Sequence, residues 1–122
     1  MNEKKSIPKS KTFGMFVGAQ KNNCYGNSMD VLRLLATRQP EGWFYVEGTI
    51  TNSNETEGPH HAWVVTTADL IDPTEPYADL IYHELRRWPA DKFLELIKQD
   101  LELPLTDVSG ELRDQSIRPT TL

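Results

Sequence analysis

The residues of this 122-residue chain best suited to covalent chemistry are its one cysteine, Cys24, the adjacent His60 and His61, and Asp72 ahead of a proline. A thiolate is a strong nucleophile at neutral pH, and an imidazole exchanges its proton in that range. A carboxylate beside the ring fixes its tautomer and supports its charged form. Cys24 opens a stretch with helical spacing, where the partial positive charge of a helix N-terminus favours the thiolate. His61 and Asp72 flank a short polar turn. A turn centred between Thr66 and Thr67 sets His61 opposite Asp72, Ala62 opposite Ile71 and Trp63 opposite Leu70. Imidazole and carboxylate then share one face, with Cβ atoms about 5 Å apart. The expectation depends on register, because a slip of one residue sends the two side chains to opposite faces. A Cys helix packed on this hairpin with its N-terminus toward His61 delivers sulfur to imidazole.

The elements that must position these groups follow from spacing. Residues 25–37 read as a helix with Asn22 or Asn23 as N-cap. Ser28, Val31, Leu32 and Leu35 form its buried face, which Cys24 and Asn27 extend backwards. Pro40-Glu41-Gly42 ends it. Residues 43–50 and 60–65 are rich in aromatic and β-branched types and predict strands, with a polar loop over 52–59. Leu70-Ile71-Asp72 returns the chain, and Pro73 stops the pairing. Residues 80–85 give a weaker strand signal. Pro89 suits the first position of a helix over 90–101, whose apolar face is Phe93, Leu94, Leu96, Ile97 and Leu101, and Pro104 ends it. The fold class is therefore α+β: a Cys-bearing helix on a small antiparallel sheet, with a second, C-terminal helix. Residues 12–104 form the single domain. Residues 1–11, with Lys4, Lys5, Lys9 and Lys11, read as a basic mobile tail, and 105–122 as an arm or tail.

Composition narrows the partners. With 38% hydrophobic and 25% charged residues the chain is ordinary for a globular protein, and its net charge of −5 argues against broad nucleic-acid binding. No apolar run is long enough for a bilayer span and no signal-peptide core is visible, so a cytoplasmic protein without a membrane partner is expected. A single cysteine precludes an intrachain disulfide. Cys24, His60, His61 and Asp72 could instead ligate zinc, but no tight Cys-x-x-Cys or His-x-x-x-His pair supports that, and no cofactor or metal is expected. Strand alternation puts His60 opposite to Trp63, toward solvent or a loop. His83 reads as a surface residue, Glu47 as the polar member of an alternating strand, and Arg86-Arg87-Trp88 as a solvated edge capped by an aromatic.

Asn23-Cys24-Tyr25-Gly26-Asn27, His61-Ala62-Trp63-Val64 and Leu70-Ile71-Asp72-Pro73-Thr74 together resemble the papain-like and transglutaminase-like cysteine fold over about residues 20 to 75. Tyr45-Val46-Glu47-Gly48 is similar to a segment of small phage and bacterial proteins that combine these pieces. The resemblance implies a hydrolase or acyl transferase acting on a protein or peptide amide. Cys24 would be the nucleophile, His61 the general base and acid, and Asp72 the orienting carboxylate. The oxyanion donors would be the Cys24 backbone N–H and a side-chain amide from Gln20 or Asn22. Papain carries a glutamine six residues before its cysteine, a position that is Gly18 here. The alternative is a catalytically inert binding or inhibitor module on the same scaffold, directed at a host protein.

Overall fold

In a computed structural model that describes residues 3–38, 41–52, 57–99 and 101–114, the chain runs β1 (Lys4–Lys5), α1 (Ile7–Val17), α2 (Cys24–Ala36), β2 (Phe44–Thr51), β3 (His60–Val65), β4 (Asp69–Ile71), β5 (Ile81–Pro89) and α3 (Ala90–Ile97). The α+β expectation holds. The sheet, however, is five-stranded and mixed rather than small and antiparallel, in the order β1-β4-β3-β2-β5 with β1 parallel to β4. There are three helices, not two.

Residues 4–11, expected as a tail, are folded. Lys4 and Lys5 pair with Asp69 and Leu70 at the sheet edge. Ser6 then caps α1, its hydroxyl accepting from the Lys9 N–H, with Pro8 in the first turn. Gly18 closes the helix in the left-handed region (φ 63°), where its N–H reaches the Gly14 and Met15 carbonyls. Lysine density suggested solvation, yet Lys5 turns inward and donates to the Glu75 and Ala78 carbonyls, each at 2.6 Å. The C-terminal arm is docked over 105–114, with Leu105, Thr106 and Leu112 buried. The rest of that arm, 115–122, lies outside the described residues.

All three helices cover one face of the sheet. Val31 and Leu32 of α2, Tyr45 of β2, Ala62 and Val64 of β3, Ile71, Trp88, Phe93 and Leu105 form one core, against which Phe13 and Val17 of α1 and Leu94 and Ile97 of α3 pack. Each such fully buried aliphatic or aromatic side chain contributes on the order of 2 kcal/mol. The opposite face carries a smaller cluster of Val46, Trp63, Val65 and Leu70, edged by Phe44, Ile50 and Tyr82. Trp88, read as the cap of a solvated edge, is a core residue. Arg87 lies over the Phe44 ring and pairs with Glu3 and Glu84.

The hairpin register differs from the expected one. Val65 pairs with Leu70 and Val64 with Ile71, two positions from the predicted alignment. The cause is the turn: the Thr66 N–H donates to the Asp69 carbonyl, while the Thr66 hydroxyl accepts from the Ala68 and Asp69 N–H groups. The loop is thus centred between Thr67 and Ala68. An even slip preserves face, so His61 and Asp72 stay on the same side of the sheet.

Candidate active site

Asp72 leaves β4 directly ahead of Pro73, and four segments fix it. Its backbone N–H donates to the buried Ser10 hydroxyl of α1 at 2.9 Å. Its Oδ1 accepts from the Thr74 and Glu75 N–H groups, both at 3.1 Å, the local turn that an Asp-Pro-Thr sequence favours. Its Oδ2 accepts from His61 Nε2 at 2.8 Å and from the Tyr82 hydroxyl at 2.7 Å. The carboxylate is fully buried, and four donors compensate that burial.

His61 stands opposite Gly48 of β2. A side chain at Gly48 would meet the Trp63 ring at 2.7 Å and the His83 carbonyl at 2.0 Å, so this position accepts only glycine while Trp63 lies there. Trp63 in turn stacks beside the imidazole, ring centroids 6.2 Å apart. With Nε2 committed to Asp72, Nδ1 is the ring nitrogen left to face the Cys24 side chain. Burial favours the neutral ring. The bonds to Asp72 and Cys24, with the charges of both, outweigh it and raise the His61 pKa to about 9. Burial works to raise the Asp72 pKa, but the bond and charge of His61, then the Tyr82 hydroxyl and the Glu75 N–H, hold it below the usual carboxylate range. Imidazolium and carboxylate therefore stabilise each other.

Cys24 is the first residue of α2 and is 8% exposed. Asn23 occupies the N-cap without a side-chain cap bond, which leaves the helix-opening N–H groups unsatisfied by it. The Gln20 amide donates to the Gly18 carbonyl, and Asn22 is exposed in the left-handed region (φ 63°). Loop 20–23 is held instead by Asn27, whose side chain bonds both the backbone N–H and carbonyl of Gln20 and the Thr74 hydroxyl.

His60 points to the helix side. It joins the Tyr25 hydroxyl through Nδ1 (2.7 Å) and the Thr106 hydroxyl through Nε2 (3.0 Å). Glu47, expected as an ordinary polar strand residue, is fully buried. It accepts from Tyr45 Oη, the Leu105 and Thr106 N–H groups and the Thr106 hydroxyl, pinning the C-terminal segment to β2. Exposed His83 bonds Thr51. Among the described residues, no group of three His, Cys, Asp or Glu side chains is arranged to hold a metal ion. None of the helices described there is long and apolar enough to cross a membrane.

Sequence reasoning missed Tyr82, Ser10 and Lys5. Tyr82 lay in the weak strand signal, with nothing local to tie it to Asp72. Ser10 lay in the presumed tail, although Ser6 and Pro8 ahead of it form a helix-start pattern. Comparison with known proteins finds no family model, no curated protein and no solved structure that matches this chain.

Proposed function

We propose that the protein is a cysteine-dependent amide hydrolase or acyl transferase, with Cys24 as nucleophile, His61 as general acid and base, and Asp72 as the orienting carboxylate. The observation that carries this reading is the 2.8 Å bond from His61 to a fully buried Asp72, with Cys24 near enough to the ring to help raise its pKa. With the proton of the Cys24–His61 pair on the imidazole, the sulfur lone pair attacks the carbonyl carbon of an amide, forming a C–S bond while the C=O electrons move onto oxygen. The Cys24 N–H, at the opening of α2, would donate to that oxyanion. As the oxyanion collapses, the C–N bond breaks and the imidazolium gives its proton to the departing amine. The resulting thioester is opened by water or by a second amine, whose proton His61 takes back, and the thiol is regenerated. The product is a carboxylic acid or a new amide.

The 8% exposure of Cys24 favours a second reading, a binding module whose thiol is a packed core residue. Iodoacetamide labelling of the native protein separates the two. An activated thiol labels at least about tenfold faster than the His61→Ala variant. Equal rates in the two proteins, both folded by circular dichroism, exclude the catalytic reading.

A further inference from the structure

We infer that the groove between α1 and the 73–77 loop binds substrate polypeptide carrying a carboxylate side chain next to a large apolar one. The inference rests on the thiol–imidazole reading above and adds the substrate class. The groove encloses about 550 Å³. Its end at Gln20 and Thr74 is tied by both residues to Asn27, one turn along α2 from Cys24. Lys21, also in its wall, lies three residues before the cysteine.

Charge is the first argument. Lys11 and Lys21 are the groove's only charged lining residues, in a chain of net charge −5. Neither forms an ion pair among the described residues. The roughly 450 Å³ cavity on the opposite face of the sheet is different: its Arg87 is matched by Glu3 and Glu84, and its Lys5 by two carbonyls. Of these two hollows, the α1 groove is the one with cationic capacity to spare.

Apolar exposure is the second argument. Met15 on the α1 wall is 74% exposed and Tyr77 on the loop wall is 64% exposed, so a large apolar side chain stands on each side of the groove. Lys11 sits over the Tyr77 ring at 5.9 Å, so a single ligand residue can meet an ammonium group and an aromatic face together. Pro73 and Pro76 stiffen the far wall, which suits an extended peptide.

The test uses two matched electrophiles, the chloromethyl ketones of acetyl-Glu-Phe-Gly and acetyl-Lys-Phe-Gly, with intact-mass readout of Cys24 labelling in the full chain. The Glu probe is expected to label about tenfold faster than the Lys probe, and added NaCl to narrow the gap. Lys11→Glu/Lys21→Glu should reverse the preference, and Met15→Ala/Tyr77→Ala should slow both probes. Rates for both probes are read relative to iodoacetamide labelling of the same variant, because iodoacetamide has nothing for the groove to hold. Equal rates for the two probes, with iodoacetamide labelling still slowed in His61→Ala, would overturn the groove and leave the reactive pair standing. Iodoacetamide labelling that ignores His61→Ala would overturn the reactive pair and the groove with it.

Discussion

Replacing His61 with Gln removes a buried imidazole expected to hold its proton well past neutrality. An unfolded histidine releases its proton near pH 6.5, and the folded one near 9. At about 1.4 kcal/mol for each tenfold difference in proton affinity, the imidazolium contributes about 3 kcal/mol to folding. The sign follows from which state keeps the proton. Below pH 6.5 both states are protonated and the contribution is complete. Between 6.5 and 9 the unfolded chain gives up its proton while the folded ring keeps it, so stability falls by up to about 1.4 kcal/mol per pH unit. For a chain of this length that is a loss in Tm of roughly 10 °C across the window. Urea unfolding followed by tryptophan fluorescence from pH 6 to 9 measures it, with His61→Gln as the flat reference. Above pH 9 the reading is confounded, because Tyr25, Tyr45 and Tyr82 all have raised pKa values and unfolding lets them ionise. NMR of the imidazole gives the same quantity directly, with a midpoint near 9. A ring that titrates near 6.5, with stability constant over the window, would refute the coupled pair.

Three other perturbations test the surroundings of the site. Tyr82→Phe removes one of the two donors to Asp72 Oδ2. It should cost about 1–2 kcal/mol at pH 7 and move the acid-side loss of stability to higher pH, since the Asp72 contribution disappears as pH falls through its depressed pKa. Glu47→Gln puts an amide where two backbone N–H groups and two hydroxyls converge on a carboxylate. A loss of about 3 kcal/mol or more is expected in urea, with faster hydrogen exchange at Leu105 and Thr106. Ser28→Ala removes a buried hydroxyl with no hydrogen-bond partner among the described residues, on a helix where alanine is the better former. It should raise stability by about 1 kcal/mol in the same assay.

Local pattern made much of this fold legible. The spacing of Val31, Leu32 and Leu35 located α2, and the β-branched run after His60 located β3 with the observed bounds. The face shared by His61 and Asp72 was legible despite a misplaced turn, because side-chain direction depends only on the parity of the register. What stayed hidden depended on contacts between distant segments. Ser10 supports Asp72 from 62 positions away and Thr106 meets Glu47 from 59, and no local periodicity encodes either. Composition misled at the N-terminus, where four lysines outweighed the start signal of Ser6 and Pro8. The bonds from Asn27 to the Gln20 backbone, which shape loop 20–23, carry no local sequence signal either.

The pairing of β1 with β4 makes the start of the chain part of the foundation under the His61–Asp72 pair. Trimming the protein to begin at residue 12, as its lysine-rich opening invites, deletes the edge strand beside Leu70, the hydroxyl under the Asp72 backbone and the ammonium group that ties down the 75–78 turn. Such a shortened protein would be expected to lose thiol reactivity with Cys24, His61 and Asp72 all intact, and an N-terminal fusion that strains β1 would imitate a point mutation in the site.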